Sequence, residues 1–279
     1  MQRFGSAGSF NTLAKKVTPS IGSAVQTLKM SGGIDNFISY LNLLVGKGSG
    51  SGWDKTETAA TAEVIRRGCC AENPVILDCG ANRGTWTREL RRHLGSDRGR
   101  WIVIEPAPEN VKLLQALPNV EVVEAAVGER EEELKLFSNS AGSEWASLHE
   151  RQDSFTQGHV FSVCTVPVVM VDKLVSEKGL DHVDFLKMDI EGHELFALRG
   201  AIQSLSARRV KALSFEFGSG NINSRTFFRD FWDLLVPLGF ELRRICPGGG
   251  TVVVKSYYEN LEVFRGVSNY IGVLKQTQA

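Results

Sequence analysis

The chain has 279 residues, 42% of them apolar and 23% charged, and its 32 basic side chains balance 32 acidic ones. Those proportions are ordinary for a soluble globular chain and exclude a collagen, a low-complexity polymer or a disordered charged tail. A duplex-binding domain needs a basic excess to neutralise phosphates, so no nucleic-acid partner is expected.

The N-terminal 34 residues hold Arg3, Lys15, Lys16 and Lys29 without an acid and are rich in serine. That composition is compatible with a transit peptide but lacks the apolar core of a secretory signal. Ile34, Phe37, Ile38, Leu41, Leu44 and Val45 then recur on one helical face. The run Gly46-Lys47-Gly48-Ser49-Gly50-Ser51-Gly52 is too glycine-rich for helix or strand and reads as a connector, or as a loop closing over a ligand. Residues 1–52 are therefore expected to be a helical extension with a Gly-rich connector, and residues 53–279 the main domain.

From residue 57 helices and strands alternate. Helical patterns cover 58–67, 84–94, 108–117, 193–205 and 226–238. Near-continuous apolar strands cover 75–80, 101–105, 120–127, 183–189 and 211–217. Such strands joined by helices of about ten residues describe a parallel sheet covered on both faces and wound right-handed. Residues 129–169 break the alternation: Leu134, Leu136 and Phe137, then Val160 to Met170, read as strands with no helix between them, an antiparallel insertion. Strands at 241–246, 251–254 and 270–274 finish the sheet.

No apolar run approaches the ~18 residues of a membrane span. The cysteines, Cys69, Cys70, Cys79, Cys164 and Cys246, are odd in number and form no C-x-x-C pair. This points away from disulfides and structural zinc, and toward a reducing, cytoplasmic compartment.

The strongest chemical signal is Asp78-Cys79-Gly80-Ala81-Asn82-Arg83-Gly84, between a strand and a helix. Glycines there permit a sharp turn and close approach to a ligand, in the crevice where parallel sheets bind ligands. The spacing is not the G-x-G-x-x-G of a dinucleotide site. Asp78 is a poor neighbour for a pyrophosphate and a good one for an ammonium group. Glu105 ends the next strand, where an acid can accept the hydroxyls of an adenosine ribose. A ligand with a ribose diol, an ammonium group and no phosphate is S-adenosylmethionine.

These segments, together with Ala125-Ala126-Val127-Gly128, Phe185-Leu186-Lys187-Met188-Asp189-Ile190-Glu191-Gly192-His193-Glu194, Leu198-Arg199-Gly200-Ala201 and Phe215-Glu216, resemble the FkbM family of S-adenosylmethionine-dependent methyltransferases over roughly residues 57–245. Arg83 departs from the small or apolar residue expected at its place. The resemblance implies a doubly wound α/β, Rossmann-like sheet of seven strands and methyl transfer to a hydroxyl oxygen. It implies cofactor contacts from Asp78, Gly80, Asn82, Gly84, Glu105, Ala126 and Asp189. The acceptor is expected to be a small molecule or a sugar, polyketide, peptide or lipid head group.

Asp189, Glu191 and His193 alternate, so an extended chain would project them to one side. They read as cation ligands, as an acidic helix start, or as the junction of methyl donor and acceptor. The third reading is the one adopted, with no metal expected. His193, positioned by Glu191, is the expected general base because of its intrinsic pKa, with Glu191 and Glu216 as alternatives. His93, His149, His159 and His182 are expected to be solvated. Trp145 and Ser147 either close over the cofactor or belong to an exposed loop. Two rivals stand beside this reading: a nicotinamide-dependent oxidoreductase, and a catalytically silent binding module of the same fold.

Overall fold

The computed structural model describes residues 31–48, 56–68, 72–140, 142–152, 158–264 and 266–275. The first 30 residues, Cys69, Cys70 and positions 49–52 of the glycine-rich run lie outside them. Two compact units are distinguished, residues 1–42 and residues 43–279.

The smaller unit contains most of helix α1 (Ser31–Leu44). The larger is built on an eight-stranded sheet. Its first half comprises β1 (Val75–Cys79), β2 (Arg100–Ile104), β3 (Glu121–Val123), β7 (Val183–Met188) and β8 (Val210–Gly218), all parallel. Strands β9 (Phe240–Ile245), β10 (Thr251–Val253) and β11 (Val267–Leu274) close it antiparallel. The order is β10-β9-β11-β8-β7-β1-β2-β3: eight strands, where the family resemblance implied seven, with the strand expected over 251–254 at the edge as β10. From β1 the chain winds one way to β2 and β3 and returns on the other side at β7. The crevice between the ends of β1 and β7 is thus the topological switch point, where open α/β sheets bind ligands.

Side chains alternate across the sheet as the two-residue period of a strand requires. Ile76, Trp101, Phe185, Ala212 and Ile271 pack on one face, with Ala60, Ala62 and Ile65 of α2 (Thr56–Gly68) and Leu90 of α3 (Thr85–Leu94). Leu77, Ile102, Leu186, Leu213 and Tyr270 face the other side. After α4 (Pro108–Gln115), which follows β2, come the helices they pack against there: α5 (Val171–Glu177), α6 (Glu194–Arg199), α7 (Ile202–Ser206) and α9 (Phe228–Leu235), which follows the short α8 (Gly220–Ser224). Full burial of each large apolar side chain contributes about 1.5–3 kcal/mol. The sheet is covered on both faces, as the apolar strands imply.

Three local expectations change. The strand expected over 120–127 is divided: Ala125 N–H turns back to Val123 O, ending β3, and β4 (Ala126–Val127) joins a second sheet. That sheet, ordered β4-β6-β5, contains β5 (Glu132–Ser138) and β6 (Ser162–Val169), paired antiparallel as the insertion reading required. The helix expected over 193–205 is two short ones that meet at Gly200, where only glycine fits, because a Cβ would lie 2.0 Å from Gly128 O. Finally, the glycine-rich run is anchored at its start. Arg244 Nε donates to Val45 O and Gly48 N–H to Ser268 Oγ, and Gly46, at φ 81°, has its Cβ position 2.1 Å from Ile245 O. No described helix is long and apolar enough to cross a membrane.

Candidate active site

The turn after β1 reverses tightly, and Gly80, Asn82 and Gly84 all take positive φ. Gly80 is required for packing: a Cβ would lie 2.0 Å from Asp189 O, across the crevice. Gly84 is similarly confined, its Cβ position 2.6 Å from Leu117 Cδ1. These glycines let the turn approach protein, where the sequence had suggested a ligand. Gly80 and Ala81 N–H groups both donate to Ile104 O, which pins the turn beside the end of β2.

Glu105 follows that end and is 4% exposed. Its Oε2 accepts Asn82 N–H at 2.8 Å, and Oε1 accepts Ala107 N–H at 3.0 Å and Asn110 Nδ2 at 3.4 Å. Burial raises its pKa despite these donors. The carboxylate therefore both braces the turn and faces the cavity beyond it.

That cavity has a volume of about 910 Å³ and lies at the switch point. Its walls include Gly80, Asn82, Glu105, Ala126, Asp189, Glu191 and Glu216, seven of the ten site residues expected from sequence. Asp78, Gly84 and His193 are not on the walls. Asp78 is fully buried beneath the turn, accepting Thr87 Oγ1 at 2.6 Å and paired with Lys187 Nζ at 3.1 Å. Its charge is thus engaged by the protein's own ammonium group, which corrects the expectation that it would meet a ligand's.

Lys187 was not foreseen. It is 1% exposed, its Nζ donates to Gly80 O at 2.9 Å, and Asp189 Oδ2 lies 3.5 Å away. Burial alone would lower its pKa; Asp78, Asp189 and Glu57 overcome that, and the net direction is upward. Its signal was a lysine inside the apolar run of β7, every residue of which is buried.

One oxygen each from Asp189, Glu191 and Glu216 lie within 4.8 Å of one another, close enough to hold a hard cation. Glu191 takes φ 54° and Gly192 φ 99°, and Gly192 has its Cβ position 2.5 Å from Gly220 O. Such backbone in a non-glycine residue persists only when its surroundings hold it. Here Arg151, 7% exposed, pairs with the Glu191 carboxylate, and Ser147 Oγ donates to Glu191 O at 2.8 Å. Arg151 comes from the insertion, and no sequence pattern marked it. Trp145 lines the cavity while 39% exposed, whereas Ser147 is buried as a support. Arg83 is exposed and off the wall.

The same twist carries His193 away from its two acidic neighbours. Its ring stacks on Phe196 with centroids 4.5 Å apart, and Nδ1 lies 3.0 Å from His149 Nε2. Burial, then His149, pushes its pKa down to about 3. His149 is half-buried and likewise lowered by burial, contrary to its expected solvation.

Glu57, at the start of α2, adds a further acid to the wall. It accepts Ser214 Oγ at 3.2 Å, and its pKa is raised to about 7, chiefly by burial. Glu216 is raised well above the usual carboxylate value, first by burial and then by Asp189, Glu191, Glu194 and Glu57.

Glu194 holds the strained turn from below. Fully buried, its Oε1 accepts Ile190 and Gly192 N–H, while Oε2 has no partner. Burial raises its pKa from 4.5 to about 7. A carboxyl raised on folding gives its full contribution below the unfolded value and loses it as pH rises through the folded one. Stability should therefore fall between pH 4.5 and about 7, by at most about 3 kcal/mol from this group. Urea unfolding across that range should show wild type falling relative to Glu194→Gln; parallel curves would contradict the assignment.

Residues 78–242 match the family described as "Methyltransferase FkbM domain". No curated protein matches the chain. Among solved structures, methyltransferase FkbM from Methylobacillus flagellatus KT is 18% identical with a TM-score of 0.45; the match covers 71% of this chain and 43% of that one. This chain thus spans less than half of that protein. An S-adenosylmethionine-dependent O-methyltransferase from Thermotoga maritima is 14% identical, TM-score 0.39, over 81% and 67% of the two chains. An O-methyltransferase from Bacillus cereus, solved with S-adenosylhomocysteine, is 11% identical, TM-score 0.39, over 91% and 97%.

Proposed function

The chain belongs to the FkbM methyltransferase family, and on that premise we propose that it transfers a methyl group from S-adenosylmethionine to a hydroxyl oxygen of a small or sugar-like acceptor. The observation that carries this reading is the meeting of three features in one cavity at the switch point: the turn after β1, the strand-end carboxylate of Glu105, and the acids at the end of β7 and on β8.

The wall chemistry fits the donor. A carboxylate offers about four lone-pair directions; three of those on Glu105 are taken by the chain, leaving one toward the cavity for a ribose hydroxyl. Glu57, Asp189, Glu191 and Glu216 outnumber Arg151 and Lys187 on the walls, which suits a cationic sulfonium. The volume suits the donor with a small acceptor beside it.

When bound, S-adenosylmethionine supplies a methyl carbon already activated by the sulfonium. What is left to the protein is to align the acceptor oxygen, exclude water and take the hydroxyl proton. Glu216 is the strongest candidate for the proton. Among the described residues its carboxylate has no hydrogen-bonding or ion-paired partner, and burial and its acidic neighbours raise its basicity. Glu191 is engaged by Arg151, and His193 is off the wall.

Calorimetric titration with S-adenosylmethionine tests the reading. Glu105→Ala should bind at least about tenfold more weakly, since hydrogen bonds to a charged group are worth about 1.5–3 kcal/mol each. Because Glu105 also braces the turn, melting temperature is read on the same preparation. Unchanged affinity in a folded variant would remove the ribose from Glu105.

A further inference from the structure

With Asp78 paired to Lys187, the ammonium group of the methyl donor still needs an acid, because a cation taken out of water without a partner is costly. Asp78, Lys187 and Ser214 are register partners across β1, β7 and β8, on the sheet face that α2 covers. Glu57, at the start of α2, accepts Ser214 Oγ at 3.2 Å and so ends this row on the cavity wall. Among the described residues Ser214 is the one hydrogen-bond donor to the Glu57 carboxylate, which leaves lone-pair directions for a ligand. Lys187, the cation that acts on Glu57, is itself engaged by Asp78 and Gly80 O. Trp86 lines the wall as well, with Lys187 Nζ 5.8 Å from its ring centroid, and an aromatic face attracts a cation.

The position fits that group. Glu105, proposed to hold the ribose, and Glu57 are both acted on by Lys187, whose Nζ holds Gly80 O. The two acids therefore flank the turn after β1. A donor with its ribose on Glu105 extends its amino-acid end past Gly80 toward Glu57. Neighbouring acids are committed elsewhere: Asp189 Oδ2 lies 3.5 Å from Lys187 Nζ, and Glu191 is paired with Arg151. Glu216 is the proposed base, and a base held against an ammonium group would be a weaker one. Burial raises the pKa of Glu57 to about 7, and an approaching cation favours its ionised form. We propose that Glu57 binds the ammonium group of the methyl donor. This rests on the reading of the cavity as the S-adenosylmethionine site, and adds to it a residue outside the stretch that matches the family.

Calorimetric titration of the full chain with three ligands tests it, each with an uncharged sulfur so that the sulfonium plays no part. S-adenosylhomocysteine carries the ammonium and carboxylate groups, its decarboxylated analogue the ammonium alone, and methylthioadenosine neither. Glu57→Gln keeps an acceptor for Ser214 and should bind the first two at least about tenfold more weakly than wild type, the low end for a hydrogen bond to a charged group. It should bind methylthioadenosine as wild type does, which also shows that the cavity is intact. Glu89→Gln is the control, since Glu89 of α3 lines the same cavity, and should leave all three affinities unchanged. Four results would overturn the proposal: unchanged affinity of Glu57→Gln for the decarboxylated analogue, an equal loss for all three ligands, a loss confined to S-adenosylhomocysteine, or the selective loss appearing in Glu89→Gln instead. Each of these leaves the cavity as the donor site. Absence of binding of all three ligands and of S-adenosylmethionine to wild type would overturn the donor reading itself, and this assignment with it.

Discussion

Replacing Lys187 with methionine is expected to lower folding stability by about 3–5 kcal/mol, the range for removing one partner of a buried ion pair. The loss comes less from the missing attraction than from what is left behind. Asp78 is fully buried, and among the described residues Thr87 would remain the only hydrogen-bond donor to its carboxylate, by a 2.6 Å bond. Lys187 also ties Gly80 O to Asp189, so a side-chain link is lost across the crevice where the donor is proposed to sit, while the backbone pairing of β1 with β7 remains. For a chain of this size the melting temperature should fall by roughly 10 °C, at 2–4 °C for each kcal/mol. Adding Asp78→Asn should recover part of the loss, because the orphaned charge is then gone; the two substitutions contact each other and should not be additive. A loss under about 1 kcal/mol for Lys187→Met, or no recovery in the double variant, would mean that the pair does not brace the crevice.

The case of Lys187 also shows where sequence reasoning stops. Strand periods and the glycine turn made a parallel sheet covered on both faces and a ligand crevice at its strand ends legible, the family resemblance added the double winding, and Glu105 and Asp189 could be placed by lying at strand ends. Register could not be read. Asp78 and Lys187 are cross-strand partners in the pairing of β1 with β7, on the face occupied by Ile76 and Phe185. Once side by side, opposite charges on one buried face pair with each other, and the acid is withdrawn from the ligand. Nothing local in either segment announces that neighbour.

His193 was misplaced for a different reason. Alternation puts Asp189, Glu191 and His193 on one side only while the chain remains extended, and the chain leaves that state at Glu191 and Gly192. The conformation is forced by contacts distant in sequence, with Gly220 against Gly192 and Ser147 and Arg151 on Glu191. What takes the vacated side is Glu216, from β8, which brings a third carboxylate to within 4.8 Å of the other two. The resemblance to a family identified the segment; only the fold could say which of its side chains face the cavity.

Glu216→Gln is therefore expected to lower kcat by about 10²–10⁴-fold, the range for loss of a general base, with donor affinity within a few-fold of wild type. His193→Gln should do the reverse: turnover within a few-fold, and lower thermal stability, because its ring fills the space between Phe196, His149 and Gly128. The pH dependence has a definite sign. A base acts when deprotonated, so turnover should fall as pH drops through the raised pKa of Glu216, and do so at higher pH than for an ordinary carboxylate. Glutamine at 216 should remove that limb. Chelation separates two ways of losing activity. If Glu216 takes the proton, wild-type turnover survives EDTA. If Asp189, Glu191 and Glu216 instead hold a cation, EDTA abolishes turnover, magnesium restores it, and Glu216 becomes a ligand. Near-normal turnover of Glu216→Gln would give the proton to Glu191 or leave alignment alone to drive the transfer. Arg151 weighs against Glu191, since its guanidinium already holds that carboxylate in an ion pair.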